Sequence, residues 1–169
     1  MNALTVRCLT EQDCEAFKQV RLEALRLHPE AFGASYEAWS QQPATFFAEK
    51  LRSNLVFGGF DSENTLQGVI GLRCERAPKL RHIATIWGMY VRADLRGSGL
   101  AALLMTAALE AAGPARTVKL AVVTTNQAAC ALYRAFGFIT WATDTAALCV
   151  DGVFYDEFLM KREAHPLSR

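Results

Sequence analysis

Apolar residues recur along the chain at two spacings, one typical of helices and one typical of strands. Phe17, Val20, Ala24 and Leu27 recur at helical spacing up to Pro29, where the predicted helix must end. Runs of apolar and β-prone residues predict strands at 4–8, 55–60, 66–76, 82–91, 118–124, 138–141, 147–150 and 153–160. Further helices are predicted within 29–37, at 43–52, at 100–112, and from an N-cap at Asn126 to a C-cap at Gly137.

The order of these elements predicts the fold class. A strand, a group of helices, three meandering strands, a helix, a strand, a helix and a final hairpin predict an α/β mixed sheet with helices on both faces. Asp151-Gly152 is the two-residue turn signal of that hairpin. We predict a single domain at residues 1–162, followed by a flexible C-terminal tail at 163–169.

Composition and charge narrow the function classes. The 169 residues are 51% hydrophobic and 21% charged, with a formal net charge of +1, which is typical of one globular domain. The sequence contains no basic block that would indicate a nucleic-acid partner. It also contains no apolar stretch that is long enough to span a membrane. The five cysteines are scattered without a C-x-x-C pair, so we expect neither a metal site nor a disulfide framework. Without a signal-peptide pattern, we expect a cytoplasmic protein.

The strand ending at Val91 is followed by a glycine-containing loop that leads into the helix predicted from Leu100. Gly97 and Gly99 lack a Cβ, so the backbone there can turn tightly and approach a ligand closely. The first N–H groups of the helix have no partner within it, and they lie at the positive end of the helix dipole. This combination predicts a phosphate-binding site.

Two familiar glycine-loop motifs fit this segment poorly. A Walker P-loop requires Gly-Lys-Ser/Thr, but Gly99 is followed by Leu100. Residues 97–102 match the dinucleotide pattern G-x-G-x-x-A, yet the glycines of that motif follow their strand directly. Its acidic ribose ligand is also missing, since no Asp or Glu occurs between Glu110 and Asp144. A Rossmann-type nucleotide binder is therefore the weaker hypothesis.

A third pattern accounts for the loop better. Residues 96–101, Arg-Gly-Ser-Gly-Leu-Ala, satisfy R/Q-x-x-G-x-G/A, and Met89-Tyr90-Val91 precede them. Residues 126–138 satisfy N-x-x-A-x-x-x-Y-x-x-x-G-F. At this distance from each other, the two segments resemble motifs A and B of the GNAT superfamily of N-acetyltransferases. The resemblance extends over residues 54–160 and, more loosely, over the N-terminal third.

The resemblance implies the acyl-CoA N-acyltransferase fold, with acetyl-CoA as the cofactor. In that fold the central, mostly antiparallel sheet is splayed, because the strands ending at Val91 and near Thr124 diverge and the cofactor enters between them. The glycine loop would bind the pyrophosphate, and the strand edge would bind the pantetheine. For Arg96 and Arg134 a solvent-facing role is the alternative. The implied cofactor-binding residues are Met89, Tyr90, Val91, Arg96, Gly97, Ser98, Gly99, Leu100, Ala101, Asn126, Tyr133 and Arg134.

Two of these residues carry implied catalytic roles. Tyr133 is the implied general acid, and the backbone N–H of Met89 is the implied donor to the thioester carbonyl. Tyr133 follows Asn126 by seven residues, so both side chains project from one helix face. A phenol with a pKa of about 10 stays protonated at neutral pH and can donate to a departing thiolate. The structural alternatives are a core tyrosine and, for Asn126, a helix cap.

The sequence supplies no obvious general base. The strand segment at 84–89 contains no carboxylate, although many members of the superfamily have a glutamate there. Glu23, Glu37, His82 and Asp156 are the candidate bases, and each is equally compatible with an ordinary surface or structural role. Alternatively, another residue or a water held by backbone carbonyls removes the proton. A further alternative is an amine that is already partly neutral.

The acceptor pocket is predicted from aromatic residues. Phe32 and Tyr36, in the second helical segment, and Trp87, at a suspected β-bulge with Gly88, are its candidate walls, with packing as the alternative. The resulting hypothesis is an acetyl-CoA-dependent N-acetyltransferase that acts on a primary amine of a small molecule, an amino acid or a peptide. The alternative is a non-catalytic CoA-binding sensor with the same fold. The oligomeric state is open, with a homodimer as one option.

Overall fold

The computed structural model describes residues 3–163, which form seven strands and five α-helices. The strands are β1 (Thr5–Cys8), β2 (Leu55–Phe60), β3 (Leu66–Cys74), β4 (Ile83–Val91), β5 (Thr117–Val123), β6 (Ile139–Val150) and β7 (Val153–Glu163). The helices are α1 (Cys14–Leu27), α2 (Tyr36–Ser40), α3 (Ala44–Ser53), α4 (Leu100–Ala111) and α5 (Gln127–Ala135). Short 3-10 turns occupy Glu11–Asp13, Pro29–Ala31 and Ala93–Leu95.

All seven strands belong to one sheet, in the order β1-β2-β3-β4-β5-β7-β6. Every neighbouring pair is antiparallel except β4 and β5, which are parallel. The mixed, mostly antiparallel sheet that the sequence and its resemblance predicted is therefore confirmed. The sheet is the frame on which both the core and the cleft described below are built.

Helices cover both faces of the sheet, which gives two apolar layers. On one face, α4 and α5 contribute residues such as Leu104 and Cys130 to a core layer that also contains Ile70 of β3. On the other face, α1 and α3 pack with residues such as Phe17 and Phe47 against the opposite side of the same strands. Because both faces are covered, β3 is buried almost continuously instead of alternating.

The sheet is split at its centre. β4 and β5 pair over only three positions, Ile83 with Thr117, Ala84 with Val118 and Thr85 with Lys119. Beyond them β4 continues to Val91 and β5 to Val123, and these two segments do not pair with each other. This is the splay that the resemblance implied, and it opens a cleft between the two strand ends.

The C-terminal hairpin differs in detail from the sequence prediction. Its turn is confirmed, since Asp151 and Gly152 have φ values of 49° and 79°. However, β6 is one strand of twelve residues, where the sequence predicted two pieces. It continues through an irregular stretch in which the Ala146 N–H donates to Asp156 Oδ1 at 2.8 Å. β7 includes Glu163, and residues 164–169, where the rest of the predicted tail falls, lie outside the described residues.

Helix α4 buries one face in the core. Leu100, Leu104, Met105 and Ala108 lie in the core, but the side chain of Leu103 is 45% exposed. Among the helices of residues 3–163, none is both long and apolar enough to cross a membrane.

Candidate active site

A cleft of about 670 Å³ occupies the gap between the diverging strands. One wall is the unpaired part of β4, and the other is β5 with the start of α5. The glycine loop and the segment around the 3-10 turn after α1 also line it. Of the residues predicted from the sequence, those that line this cleft are Phe32, Trp87, Met89, Tyr90, Val91, Arg96, Gly97, Gly99, Ala101, Asn126 and Tyr133.

The glycine loop has a backbone shape that requires glycine. Gly97 and Gly99 have φ values of 77° and 90°, in the left-handed region that other residues rarely adopt. Three N–H groups of residues 96–101 are already engaged, since Arg96 donates to Ala93 O, Ser98 to Leu95 O and Leu100 to Ser98 Oγ. The N–H groups of Gly97, Gly99 and Ala101 have no acceptor within residues 3–163. They lie at the N-terminus of α4, where the dipole favours an anion.

The free edge of β4 faces the cleft. The Arg92 N–H donates to Gln67 O of β3. Because backbone groups alternate along an antiparallel strand, the N–H and C=O of Val91 point away from β3, toward the cleft. The Nε of Arg96 donates to Val91 O at 3.4 Å from inside the cleft. The edge therefore presents backbone groups to which an extended ligand could pair.

A β-bulge changes the direction of β4 next to this edge, as the sequence predicted for Trp87-Gly88. The register against β3 shifts between Val69 and Gly71, and Gly88 has a φ of 64°. The extra residue brings Trp87 and Tyr90 to the same layer, beside α1. The Trp87 indole lies directly over Gly71, where a Cβ would collide with its ring.

Tyr133 and Asn126 project from α5 into the cleft wall. Tyr133 is only 6% exposed, and its ring packs edge-on against Phe138 with centroids 6.0 Å apart. Burial raises the pKa of Tyr133 above its ordinary value, because the interior disfavours a phenolate. The Asn126 Oδ1 accepts a hydrogen bond from the Ala129 N–H at 3.1 Å, so this residue is the predicted helix cap as well as a cleft residue.

Two titratable residues of the cleft, His28 and Glu30, were missed by the sequence analysis. The Arg96 Nη2 lies 3.1 Å from His28 Nε2, and because a guanidinium only donates, His28 Nε2 is the acceptor. The only signal in the sequence was a His and a Glu on either side of Pro29, a segment interpreted as a helix end. Their place beside β4 depends on how α1 packs on the sheet.

Residues 17–138 match the model of the acetyltransferase (GNAT) family. The chain belongs to this family. GNAT acetyltransferases use acetyl-CoA, which is accordingly the cofactor of this chain. A search of curated proteins gave no match.

Solved GNAT structures share the fold along the whole chain. An acetyltransferase of the GNAT family from Streptococcus pneumoniae is 21% identical, with a TM-score of 0.80 over 95% of this chain and 99% of that one. The protein yncA of Salmonella typhimurium, solved with its cofactor acetyl-CoA, is 18% identical, with a TM-score of 0.79 over 99% and 97%. A ribosomal-protein-alanine N-acetyltransferase from Brucella melitensis is 20% identical, with a TM-score of 0.76 over 94% and 99%.

The glycine loop of this GNAT acetyltransferase fits the diphosphate of acetyl-CoA. A Cβ built on Gly97 or Gly99 would meet nothing within 4 Å, so open space adjoins the backbone there. Three unengaged N–H groups border that space, and the β4 edge continues from it along the cleft. An anionic group at the loop and an amide-containing chain along the strand edge are the two parts that this site can hold.

Four predicted residues of the GNAT site do not line the cleft. The Leu100 side chain is buried in the core, and Ser98 is exposed on the loop. Arg134 is exposed, with its Cζ 5.8 Å from the centre of the Phe158 ring. Tyr36 lines an adjoining depression of about 380 Å³ that shares Phe32 with the cleft.

The four candidate bases also lie outside the cleft lining. Glu23 is bonded to Arg92 at 2.9 Å and to the Tyr90 hydroxyl at 2.8 Å. Glu37 borders the adjoining depression, and His82 is exposed just before the paired end of β4. Asp156 is exposed and accepts the Ala146 N–H.

Proposed function

We propose that this GNAT acetyltransferase transfers the acetyl group of acetyl-CoA to a primary amine bound in the cleft. The observation that carries the proposal is the convergence of three features on one cleft: the glycine loop, the free edge of β4 and the Tyr133 phenol. The N–H groups of Gly97, Gly99 and Ala101 would hold the diphosphate, and the backbone of Met89 and Val91 would hold the pantetheine. When bound, the cofactor supplies an activated acetyl thioester with a thiolate as its leaving group.

The chain's own groups would then stabilise charge and move protons. The Met89 N–H would donate to the carbonyl oxygen as negative charge develops on it, and one such donor is worth about 3 kcal/mol. The Tyr133 hydroxyl would give its proton to the departing sulfur. Since burial raises the pKa of Tyr133, the phenol keeps its proton at neutral pH and is a hydrogen-bond donor to the sulfur as negative charge develops there.

The amine must reach the thioester without its extra proton, and two cleft residues can accept that proton. The lone pair on His28 Nε2 becomes available to the amine once Arg96 turns away, and Glu30 has a carboxylate. We propose His28 as the base, because Arg96, its present hydrogen-bond donor, is also the cation next to the diphosphate site. A diphosphate at the loop would draw the guanidinium toward itself and free His28 Nε2.

The acceptor is proposed to be a small amine, an amino acid or the amino group of a peptide. Proteins named phosphinothricin N-acetyltransferase and ribosomal-protein-alanine N-acetyltransferase share the fold, which makes both small and protein acceptors compatible with it. The non-catalytic sensor is not favoured, because the family is one of acetyltransferases and the cleft contains both a proton donor and proton acceptors. We also propose the cytoplasm as its location, since all five cysteines are free thiols.

The decisive experiment is a thiol-release assay with acetyl-CoA and a panel of primary amines, coupled to mass spectrometry of the acetylated product. We expect release of CoA that depends on an amine and yields an N-acetyl product. Binding of acetyl-CoA without turnover on any amine of the panel would support the sensor. O-acetylation in place of N-acetylation would contradict the proposed acceptor class.

A further inference from the structure

Arg21 is a buried arginine that the proposed mechanism does not use. Its side chain lies on the buried face of α1, between Phe17 and Ala24, and the residue is only 4% exposed. Its Nε and Nη1 are the buried side-chain nitrogens without a hydrogen-bond partner in the described part of the chain. An unsatisfied buried N–H carries the full cost of its lost hydration, so such a group usually has a partner.

Three aromatic rings surround the Arg21 guanidinium. Its Cζ lies 4.8 Å from the centre of the Trp39 ring, 4.9 Å from that of Phe32 and 5.6 Å from that of Trp87. Ring faces stabilise the positive charge, but they do not accept the N–H groups that point outward in the guanidinium plane. Burial lowers the pKa of Arg21 to about 10, so the side chain is still a cation at neutral pH.

The guanidinium lies behind one wall of the cleft and does not itself line the cleft. Phe32 and Trp87, two of its three aromatic neighbours, line the cleft. Gly88 at the bulge also lines it, and a Cβ built there would lie 3.3 Å from Arg21 Nη1. The nearest acid along α1, Glu23, is already bonded to Arg92 and Tyr90. Arg21 is thus a buried cation with unpartnered N–H groups, one layer of residues behind the wall of the proposed acceptor site.

We propose that Arg21 binds the carboxylate of the acceptor, which makes the acceptor an amino acid or a close analogue with amine and carboxylate on one small molecule. The inference rests on the proposed function and specifies its substrate class. Gly88 is adjacent to Met89, and neighbouring Cα atoms are about 3.8 Å apart. A carboxylate held beside Gly88 therefore leaves the amine of an α-amino acid beside Met89, where the thioester carbonyl is proposed to lie. A guanidinium also matches a carboxylate through two parallel hydrogen bonds.

The test compares each proteinogenic L-amino acid with its own α-amide, which keeps the amine and the side chain but lacks the carboxylate. The first readout is the ratio of kcat/KM for acid over amide in the thiol-release assay. The second readout is calorimetric binding of the same pairs to the CoA-loaded protein, which needs no turnover. We expect at least one amino acid to exceed its amide by roughly 10²-fold, as for a charge pair lost from a desolvated site.

Variants then assign the preference to Arg21. Arg21→Met fills the same space among the rings without charge, and it should bring the acid-to-amide ratio close to one. Arg21→Lys keeps a charge without the planar fork, and it should leave an intermediate ratio. Arg26→Met, on the exposed side of the same helix, is the matched control and should keep the wild-type ratio. If Arg21→Met does not fold, the lysine variant alone decides whether the ratio depends on this position.

The outcomes separate this inference from the proposed function. Turnover of amides as fast as acids would overturn the inference and leave the acetyltransferase intact. Calorimetric binding of acids in preference to amides, lost in Arg21→Met but without any thiol release, would support the inference and contradict the proposed function. Neither turnover nor binding of any acid in preference to its amide would overturn the inference, and Arg21 would then be a packing residue among its rings.

Discussion

At the scale of single residues, Tyr133 combines a packing role with a chemical one. Its ring contacts Phe138 in the core, and the same residue lines the cleft. Tyr133→Phe keeps the ring and removes only the hydroxyl. We expect kcat to fall by about 10²-fold, since a positioned proton donor contributes at least that much. The melting temperature and the calorimetric affinity for acetyl-CoA should change little, because the ring packing is retained.

A matched control separates the loss of a cleft hydroxyl from the loss of any hydroxyl. Tyr155 lies on β7, is half-buried and does not line the cleft, so Tyr155→Phe should keep the wild-type kcat. Full activity in Tyr133→Phe would show that the thiolate takes its proton from another source.

His28 and Glu30 give the second prediction at this scale. If His28 is the base, His28→Gln should lower kcat/KM by roughly 10²- to 10³-fold. Glu30→Gln changes a carboxylate in the same cleft. It should lower kcat/KM by less than about ten-fold, because Glu30 then takes no part in the proton transfer. Steady-state measurement of kcat/KM for the three proteins gives both effects, and the opposite ranking would assign the base to Glu30.

The sequence predicts site residues well where the chemistry is local. The glycines, Asn126 and Tyr133 belong to short segments whose spacing alone places them together. His28 and Glu30 reach the cleft only because α1 packs against β4, which is a contact between distant segments. Arg21 was also within reach of sequence analysis, because it lies four residues after Phe17 on the predicted apolar face, where a charge is unexpected.

At the scale of elements, an ion pair joins α1 to β4. Glu23 accepts hydrogen bonds from Arg92 and from the Tyr90 hydroxyl. Partial burial raises the pKa of Glu23, but these hydrogen bonds outweigh it and hold the pKa below its ordinary value of 4.5. The ionised carboxylate therefore stabilises the folded state. This contribution is complete above the ordinary pKa and is lost as the pH falls through the lower pKa of the folded protein.

We therefore expect Glu23→Gln to lower the free energy of unfolding at neutral pH by about 1 kcal/mol, a modest value because the pair is partly exposed to solvent. Urea denaturation at a series of pH values measures the difference, which should shrink as the pH falls below the ordinary carboxyl range. Glu15→Gln, at an exposed position on the same helix, is the control and should show almost no difference at any pH. A difference in unfolding free energy that grows as the pH falls would contradict a stabilising role for the ionised Glu23 carboxylate.

The glycine loop gives the second prediction for an element. At Gly99 a Cβ would have free space, so the cost of Gly99→Ala comes from its φ of 90° alone. We expect a loss of about 1–2 kcal/mol in unfolding free energy and at least a ten-fold weaker calorimetric affinity for acetyl-CoA, since the N–H groups would turn. Gly33→Ala also adds a Cβ into open space but without a positive φ, and it should be nearly neutral. Unchanged affinity in Gly99→Ala would exclude this backbone from diphosphate binding.

The sequence predicted the long, strongly patterned elements closely and the irregular ones poorly. Strand β2 matches its predicted bounds, since its apolar run ends at a clear polar turn. Strand β6 was divided because 142–146 is a small and polar stretch with no strand signal of its own. That stretch is held in the sheet from outside, by pairing with β7 and by Asp156.

At the scale of the whole molecule, the cofactor should stabilise the fold by mass action. Acetyl-CoA at about 100 times its Kd adds about 2.7 kcal/mol, which for a chain of this size raises the melting temperature by roughly 5–10 °C. NAD should give no such shift, because the loop lacks the acidic ribose ligand of a dinucleotide site. Thermal melts with each ligand measure this directly. Stabilisation by NAD and not by acetyl-CoA would contradict the choice of ligand.

The order of elements predicted the mixed sheet, but it could not predict the splay. Periodicity reveals which residues are buried, and it says nothing about how far two strands remain paired. The separation of β4 from β5 after Thr85 follows from long-range contacts on both sides of the sheet, so only the resemblance to a known fold anticipated it.

The three-residue junction between β4 and β5 has a mechanical consequence. The N-terminal half of the sheet, from β1 to β4, pairs with the C-terminal half, from β5 to β6, only over Ile83–Thr85 of β4. A pantetheine arm lying in the gap would form hydrogen bonds with one half and pack against the other. It would thereby set the width of the cleft. Loading of the coenzyme and alignment of Tyr133, which belongs to the C-terminal half, with Met89, which belongs to the N-terminal half, would then be a single event.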